Sequence, residues 1–184
     1  MVSPDGLPGG TVTFLFTDLL SSTQLWESHP IEMREAVHQH DHLVRSAVEE
    51  GGGHVVKTMG DGAMAVFADP ARAVAVAVAL QREIRARDWT VPIAARMGLH
   101  TGTAQPELGD YHSPTVNRAA RVASAAAPGQ ILVTAATAAL VDDYALRDLG
   151  EREMRGLPTM RVSQVLAEGL PSEFPSPRMP HRGK

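Results

Sequence analysis

The sequence predicts an α+β fold built on a ferredoxin-like βαββαβ core, with extra strands towards the C-terminus. Strand-like and helix-like segments follow one another in the order strand, helix, strand, strand, helix, strand between residues 11 and 102. The chain has 184 residues, of which 43% are hydrophobic, and this is enough for one domain with its own core. We therefore expect an antiparallel sheet with helices on one face. The other face would also need a cover, and a partner subunit is one way to provide it.

Each element is predicted from its local pattern. The first strand is rich in β-branched and aromatic residues, and the glycines that follow the first long helix are typical of a helix end. Met59-Gly60-Asp61-Gly62 separates two short apolar runs, which is typical of a hairpin. The predicted strands cover residues 11–18, 54–58, 63–67, 91–102, 130–134, 144–149 and 161–166. The predicted helices are two short ones, one through Trp26 and one over 135–140, and longer ones over 30–50, 71–87 and 117–126.

We assign one domain to residues 11–168. Residues 1–10 are rich in glycine and proline and are expected to form a flexible N-terminus. Residues 169–184 contain four prolines and are expected to form a disordered tail.

Composition excludes several classes of function. The absence of cysteine excludes disulfides, thiolate catalysis and cysteine-ligated zinc. A net charge of -4 argues against a nucleic-acid binder, although a small anionic substrate needs only a few local positive groups. The chain has neither the apolar run of a membrane span nor the N-terminal pattern of a signal peptide. We expect a cytoplasmic protein that binds neither nucleic acid nor a membrane.

Two aspartates are candidates for a metal site. Asp18 ends the first apolar strand, and Asp61 lies in the predicted hairpin turn. These two segments are neighbours in a ferredoxin-like sheet, so both carboxylates can meet at one edge. Paired carboxylates suit Mg²⁺ or Mn²⁺, which take oxygen ligands and share them with phosphates. The alternative is an ordinary strand-end aspartate and an ordinary turn aspartate.

Other polar residues are weaker candidates when considered alone. Asn117 and Arg121 are four residues apart on a predicted helix and share one face, although Asn117 could be only a helix cap. Lys57 could be an edge-strand lysine, and Asp110 fits a turn. His38 and His42 also share a helix face, which we interpret as hydrated rather than metal-binding.

Four motifs together resemble class III adenylyl and guanylyl cyclase catalytic domains, especially short bacterial domains of actinobacterial type. They are Phe16-Thr17-Asp18, the segment from Lys57 to Gly62 (KTMGDG), the segment from Arg96 to Gly102 (RMGLHTG) and the segment from Thr115 to Arg121 (TVNRAAR). They occur in the order seen in that family, and the resemblance runs from about residue 11 to residue 166.

The resemblance implies a role for each candidate residue. Asp18 and Asp61 match the two aspartates that bind two divalent ions, Mg²⁺ or Mn²⁺. Lys57 and Asp110 match the pair that reads adenine.

Three more positions follow from the same resemblance. Asn117 matches the residue that positions the ribose, and Arg121 matches the arginine that stabilises charge at the α-phosphate. Arg155 stands where the family has a triphosphate-binding lysine, and a guanidinium can also hold phosphate.

The implied function is an adenylyl cyclase that converts ATP to 3′,5′-cyclic AMP and pyrophosphate. The resemblance also implies a homodimer whose two sites each use both subunits. His112 and Ser113 replace an aromatic residue and a glycine that are common in this family, which leaves a guanylyl or relaxed-specificity cyclase open. The sequence also leaves open a catalytically silent dimerisation module and a phosphohydrolase that uses Asp18 as nucleophile.

Overall fold

The computed structural model describes residues 3–20 and 23–175. The first half of the chain forms β1 (Gly10–Leu20), α1 (Thr23–Ser28), α2 (Pro30–Glu50), β2 (His54–Met59), β3 (Gly62–Phe67), α3 (Pro70–Ala86) and β4 (Ala94–Ala104). The second half forms β5 (Pro106–Glu107), β6 (Asp110–Tyr111), α4 (Pro114–Ala125), β7 (Ile131–Thr134), α5 (Ala135–Ala138), β8 (Ala145–Met154) and β9 (Leu157–Leu166).

The ferredoxin-like core is confirmed. Seven strands form one sheet in the order β2-β3-β1-β4-β7-β9-β8, and its first four strands have the arrangement of that core. Only the pair β4–β7 in this sheet is parallel within the described residues, and all other pairs are antiparallel. The extra C-terminal strands are also confirmed, and they extend the sheet beyond β4.

The last two strands run farther than the sequence pattern predicts. β8 and β9 form a hairpin closed by the two-residue turn Arg155-Gly156. Much of β8 is exposed, and its sequence ALRDLGEREM is strongly charged. Because β8 is an edge strand of the sheet, it has no continuous apolar face from which its length could be predicted.

Helices α2 and α3 cover one face of the sheet, as predicted. Their apolar side chains pack with Leu15, Leu19 and Met97 in the largest core cluster. The expectation that helices lie on one face only is wrong in one respect, because α4 packs on the opposite face. There Ala119 and Ala123 contact a second cluster that includes Phe14.

Two glycines of β4 explain why α4 lies so close to the sheet. A Cβ atom added at Gly98 would lie 2.2 Å from the backbone nitrogen of Ala123, and one at Gly102 would lie 2.8 Å from Oγ1 of Thr115. The absence of side chains at Gly98 and Gly102 therefore lets the helix backbone lie directly on the strand.

Both ends of the described chain contact the domain. Leu7 is buried, and Tyr111 donates a hydrogen bond from its hydroxyl to the carbonyl oxygen of Pro8. Near the other end, the carbonyl oxygen of Ser172 accepts a hydrogen bond of 2.9 Å from Nε2 of Gln164. Residues 176–184 of the predicted tail lie outside the described residues, and the domain boundaries stay a prediction. None of the helices described here combines the length and the apolar character needed to span a bilayer.

Candidate active site

Asp18 and Asp61 come together through the pairing of β1 with β3. Asp18 is the register partner of Gly62, and the backbone N–H of Leu19 donates to the carbonyl oxygen of Asp61 at 3.0 Å. The Asp18 side chain is 42% exposed, so its carboxylate is accessible. In the described ranges, no group of three or more His, Asp and Glu side chains forms a metal cluster. Two neighbouring aspartates where β1 ends and β3 begins nevertheless fit a cation that takes its other oxygen ligands from phosphates and water.

An arginine that the sequence did not link to this site contacts Asp18. Arg96 lies directly opposite Asp18 in the β1–β4 register. Its Nη2 and Nε both donate to Oδ2 of Asp18, at 2.9 and 3.2 Å. Its Nη1 donates to the carbonyl oxygen of Ser124, at 3.1 Å, near the end of α4. The signal that could have identified this contact is the strand register, which local patterns do not give.

Lys57 and Asp110 contact each other although they are 53 residues apart. Nζ of Lys57 donates to Oδ2 of Asp110 at 2.9 Å. The N–H of Tyr111 donates to the other carboxylate oxygen, Oδ1, at 2.7 Å. Desolvation raises the pKa of Asp110, but the hydrogen bonds from Lys57 and Tyr111 outweigh it, so the pKa lies below its usual value. Asp110 is therefore an ionised acceptor beside a lysine donor.

One departure from the family pattern lies next to this pair. Nε2 of His112 is 3.9 Å from Oδ2 of Asp110, and the His112 side chain is 72% exposed. His112 thus adds a second nitrogen group near the carboxylate. Ser113 is the N-cap residue of α4, with Pro114 in the first turn.

Asn117 and Arg121 both lie on the exposed side of α4, away from the sheet. The interpretation of Asn117 as a helix cap is wrong, because Ser113 holds that position and the N–H of Asn117 donates to its carbonyl oxygen. The opposite side of α4 packs on β4 and β1. Asn117 and Arg121 therefore face outwards on a helix whose position is fixed by the sheet.

Arg155 lies at the tip of the β8–β9 hairpin and is exposed. The adjacent Gly156 has a φ of 75°, which fits the tight turn. The structure records no hydrogen bond or ion pair for Arg155 within the described residues.

His40 is a buried residue that the sequence pattern did not distinguish from its neighbours. His38 and His42 are exposed, in agreement with a hydrated helix face, whereas His40 is fully buried. Its Nε2 lies 3.4 Å from Oγ1 of Thr17, the residue before Asp18. Burial lowers the pKa of His40 to about 4, although Asp18 acts in the opposite direction. A neutral imidazole therefore lies beneath the end of β1.

His100 is a second buried histidine, in the strand under α4. Its Nδ1 lies 2.7 Å from Oγ1 of Thr134. Burial, with a smaller contribution from Arg118, lowers the pKa of His100 to about 4.

Comparison with known families agrees with this geometry. Residues 8–167 match the model of the adenylate and guanylate cyclase catalytic domain. The chain belongs to this family.

Relatives with known sequences include both uncharacterised proteins and cyclases. The chain is 39% identical over 176 residues to an uncharacterised protein of Mycobacterium tuberculosis, covering 91% of this chain and 60% of that protein. It is 30% identical over 217 residues to an adenylate cyclase of Schizosaccharomyces pombe, covering 90% of this chain and 13% of the yeast protein. The chain thus spans only part of the length of either relative.

Solved structures of cyclases share the fold. An adenylate cyclase from Trypanosoma brucei, studied in its monomeric state, superposes with a TM-score of 0.83 at 28% identity, covering 91% of this chain and 92% of that one. The adenylyl cyclase CyaB from P. aeruginosa gives a TM-score of 0.75 at 25% identity, covering 87% and 95% of the two chains.

Proposed function

We propose that this domain is an adenylyl cyclase that converts ATP to 3′,5′-cyclic AMP and pyrophosphate, at two sites shared across a homodimer. Membership of the cyclase family supports the reaction type. The observation that supports ATP over GTP is the direct contact between Lys57 and Asp110.

This contact matches the hydrogen-bonding pattern of adenine. Adenine presents a ring nitrogen as acceptor and an exocyclic amine as donor, whereas guanine reverses this pattern. Lys57 supplies a donor, and the ionised Asp110 supplies an acceptor. Binding of the base would exchange one hydrogen bond between the two side chains for two hydrogen bonds to the base.

Asp18 and Asp61 would hold the divalent cations and the triphosphate near the end of β1 and the start of β3. When bound, Mg²⁺ or Mn²⁺ lowers the pKa of a coordinated hydroxyl and neutralises phosphate charge. The role of the two aspartates is to fix the reacting α-phosphate relative to the ribose. The exposed position of Asp18 leaves space for phosphate oxygens in addition to the protein ligands.

The exposed side of α4 would complete the other half of a site. In the proposed reaction, Asn117 orients the ribose so that its 3′-hydroxyl faces the α-phosphate. Arg121 stabilises the negative charge that builds on the α-phosphoryl oxygens as pyrophosphate leaves. Arg155 binds the triphosphate from the tip of its hairpin.

A homodimer is proposed because the two groups of residues face outwards from different elements. Asn117 and Arg121 lie on the exposed side of α4, and the aspartates lie where the end of β1 pairs with the start of β3. A symmetric dimer would place α4 of each subunit against the aspartates of the other, which creates two identical sites.

A guanylyl or relaxed-specificity cyclase is the second candidate. The observation that favours it is His112, whose Nε2 lies 3.9 Å from Asp110. A second nitrogen group near this carboxylate changes the donors that surround the base.

The test is incubation of the purified chain with ATP and Mn²⁺, followed by product analysis, with GTP in parallel. We expect cyclic AMP and pyrophosphate in equal amounts and less product from GTP. Asp61→Asn is the matched control and should form neither product. Equal turnover of both nucleotides would support relaxed specificity. Release of inorganic phosphate would support a phosphohydrolase, and no product with either nucleotide would support a silent module.

A further inference from the structure

Arg96 connects the candidate metal site to α4. Two of its N–H groups point to the same oxygen of Asp18, at 2.9 and 3.2 Å. A third N–H group, on Nη1, points to the carbonyl oxygen of Ser124 at 3.1 Å. The Arg96 side chain is 26% exposed, so the guanidinium is held between the strand and the helix rather than free in solvent.

The contact with Ser124 is possible because α4 lies directly on β4. Gly98, two residues after Arg96, has no side chain, so the backbone of Ala123 lies directly against the strand. The last turn of α4 is therefore within reach of the guanidinium. Carbonyl groups in the last turn of a helix have no partner within the helix, and a cation is favourable there.

The same oxygen of Asp18 cannot serve two cations equally well. Oδ2 accepts two N–H groups, so both of its lone pairs are engaged, and the guanidinium charge also repels a cation at the other carboxylate oxygen, Oδ1. We propose that Arg96 competes with a divalent cation for Asp18. Because Arg96 also contacts Ser124, its release from Asp18 loosens the last turn of α4. Arg96 is thus a positioning residue that links the two halves of the catalytic machinery within one chain.

This inference rests on the proposed function, in which Asp18 and α4 of one chain serve different sites of the dimer. A cation that binds Asp18 in one site would release Arg96 from the Asp18 carboxylate. Arg96 would then be held by Ser124 alone, and the last turn of α4, which follows Arg121, would loosen. The two sites of the dimer would consequently not bind and react independently.

The first test measures Mn²⁺ binding without nucleotide, by electron paramagnetic resonance of free Mn²⁺. Arg96→Gln removes the charge, and Arg96→Lys keeps the charge but cannot make the forked contacts of a guanidinium. We expect Arg96→Gln to bind Mn²⁺ about threefold to tenfold more tightly than the wild type, as expected for loss of a partly exposed competing charge. Arg96→Lys should stay within about twofold of the wild type. Arg161→Gln, which removes an arginine paired with Asp148, should not differ from the wild type.

The second test follows hydrogen exchange of the backbone amides in residues 121–126. In the wild type, saturating Mn²⁺ should speed their exchange by about twofold or more. Arg96→Gln and Arg96→Lys should both exchange at the faster rate with or without Mn²⁺. Arg96→Lys therefore separates the two parts of the proposal, because it retains the competing charge but loses the link to Ser124. Thermal unfolding by circular dichroism confirms that each variant is folded.

The outcomes distinguish this inference from the proposed function. If Asp18→Asn binds Mn²⁺ as well as the wild type, Asp18 is not a metal ligand, and the proposed site and this inference are both wrong. If Asp18→Asn weakens binding but Arg96→Gln leaves it unchanged or weaker, the metal site stands and the competition is overturned. If Mn²⁺ does not change exchange in the wild type, the link to α4 is overturned.

Discussion

Replacement of Gly98 by alanine tests whether the close packing of α4 on β4 positions the residues proposed for catalysis. The new Cβ atom would lie 2.2 Å from the backbone nitrogen and 2.5 Å from the Cα atom of Ala123. Ordinary contact begins near 3.4 Å, so α4 must move by about 1 Å. The obstacle is backbone rather than a flexible side chain, so no rotamer change can relieve it.

The expected cost to stability is moderate, and the expected cost to catalysis is large. Inserting a methyl group into a packed site typically costs about 1 to 3 kcal/mol. A shift of about 1 Å in a positioning element can reduce the rate about a hundredfold. We therefore expect Gly98→Ala to remain folded at 25 °C while its kcat for ATP falls about a hundredfold.

The assay combines denaturant unfolding with steady-state kinetics, and Gly150→Ala is the matched control. Gly150 has a φ of 74° and open space around its Cα atom, so alanine there costs about 1 to 2 kcal/mol through backbone strain alone. The two variants should lose similar stability, but Gly150→Ala should retain its activity. Full activity in Gly98→Ala would refute the argument that contact with β4 positions α4.

Three further predictions concern individual side chains. Arg121→Ala should lower kcat about a hundredfold or more with little change in KM, because its proposed contact forms in the transition state. The double variant Lys57→Glu with Asp110→Cys should lose more ATP turnover than GTP turnover, measured in parallel, because its groups suit guanine better. The pKa of His100 is about 4 in the folded chain and about 6.5 when unfolded, so the unfolded state binds more protons between these values. As far as this histidine is concerned, the free energy of unfolding is therefore at its full value above pH 6.5. It decreases as the pH falls towards 4, by up to about 1.4 kcal/mol per pH unit. Measured by urea unfolding, the dependence of the free energy of unfolding on pH should be weaker in His100→Gln. The same substitution at the exposed His54 should leave it unchanged.

Each of these predictions has a contrary result. A raised KM with unchanged kcat in Arg121→Ala would show that Arg121 only binds substrate. An unchanged ATP to GTP preference in the double variant would exclude base reading by Lys57 and Asp110. An equal pH slope in His100→Gln and the wild type would mean that His100 is not held neutral by the fold.

The core of the fold could be predicted because its elements have strong local patterns. The continuous apolar run of β1 and the glycines at the β2–β3 hairpin mark elements that the structure confirms. α4 was predicted as a helix but was expected on the same face as the other helices. Its true side depends on a contact between Gly98 and Ala123, across 25 residues of sequence. The length of β8 was missed because an exposed edge strand needs no apolar periodicity.

The candidate site shows the same division between local and long-range information. The convergence of Asp18 with Asp61 was predicted from topology, and the pairing of Lys57 with Asp110 was expected from the family resemblance. The structure pairs the backbone of Asp18 with Gly62, next to Asp61, and places Lys57 in direct contact with Asp110. Arg96 was not linked to Asp18, because their contact follows from the β1–β4 register rather than from spacing. The catalytic roles of all these residues stay proposals.

The most direct test of the central proposal is complementation between two inactive variants. Asp18→Ala should lack the metal half of both sites in its homodimer, and Arg121→Ala should lack the transition-state half of both. A mixed dimer would have both lesions in one site and an intact second site. The two chains should be co-expressed with different tags, so that pull-down verifies that mixed dimers form.

Random mixing gives mixed dimers in about half of the population, each with one intact site of two. We therefore expect about a quarter of the wild-type rate of cyclic AMP formation in the mixed sample, although each variant alone is inactive. If pull-down shows mixed dimers and the sample is as inactive as either variant alone, each site lies within one chain, and the shared-site account is contradicted.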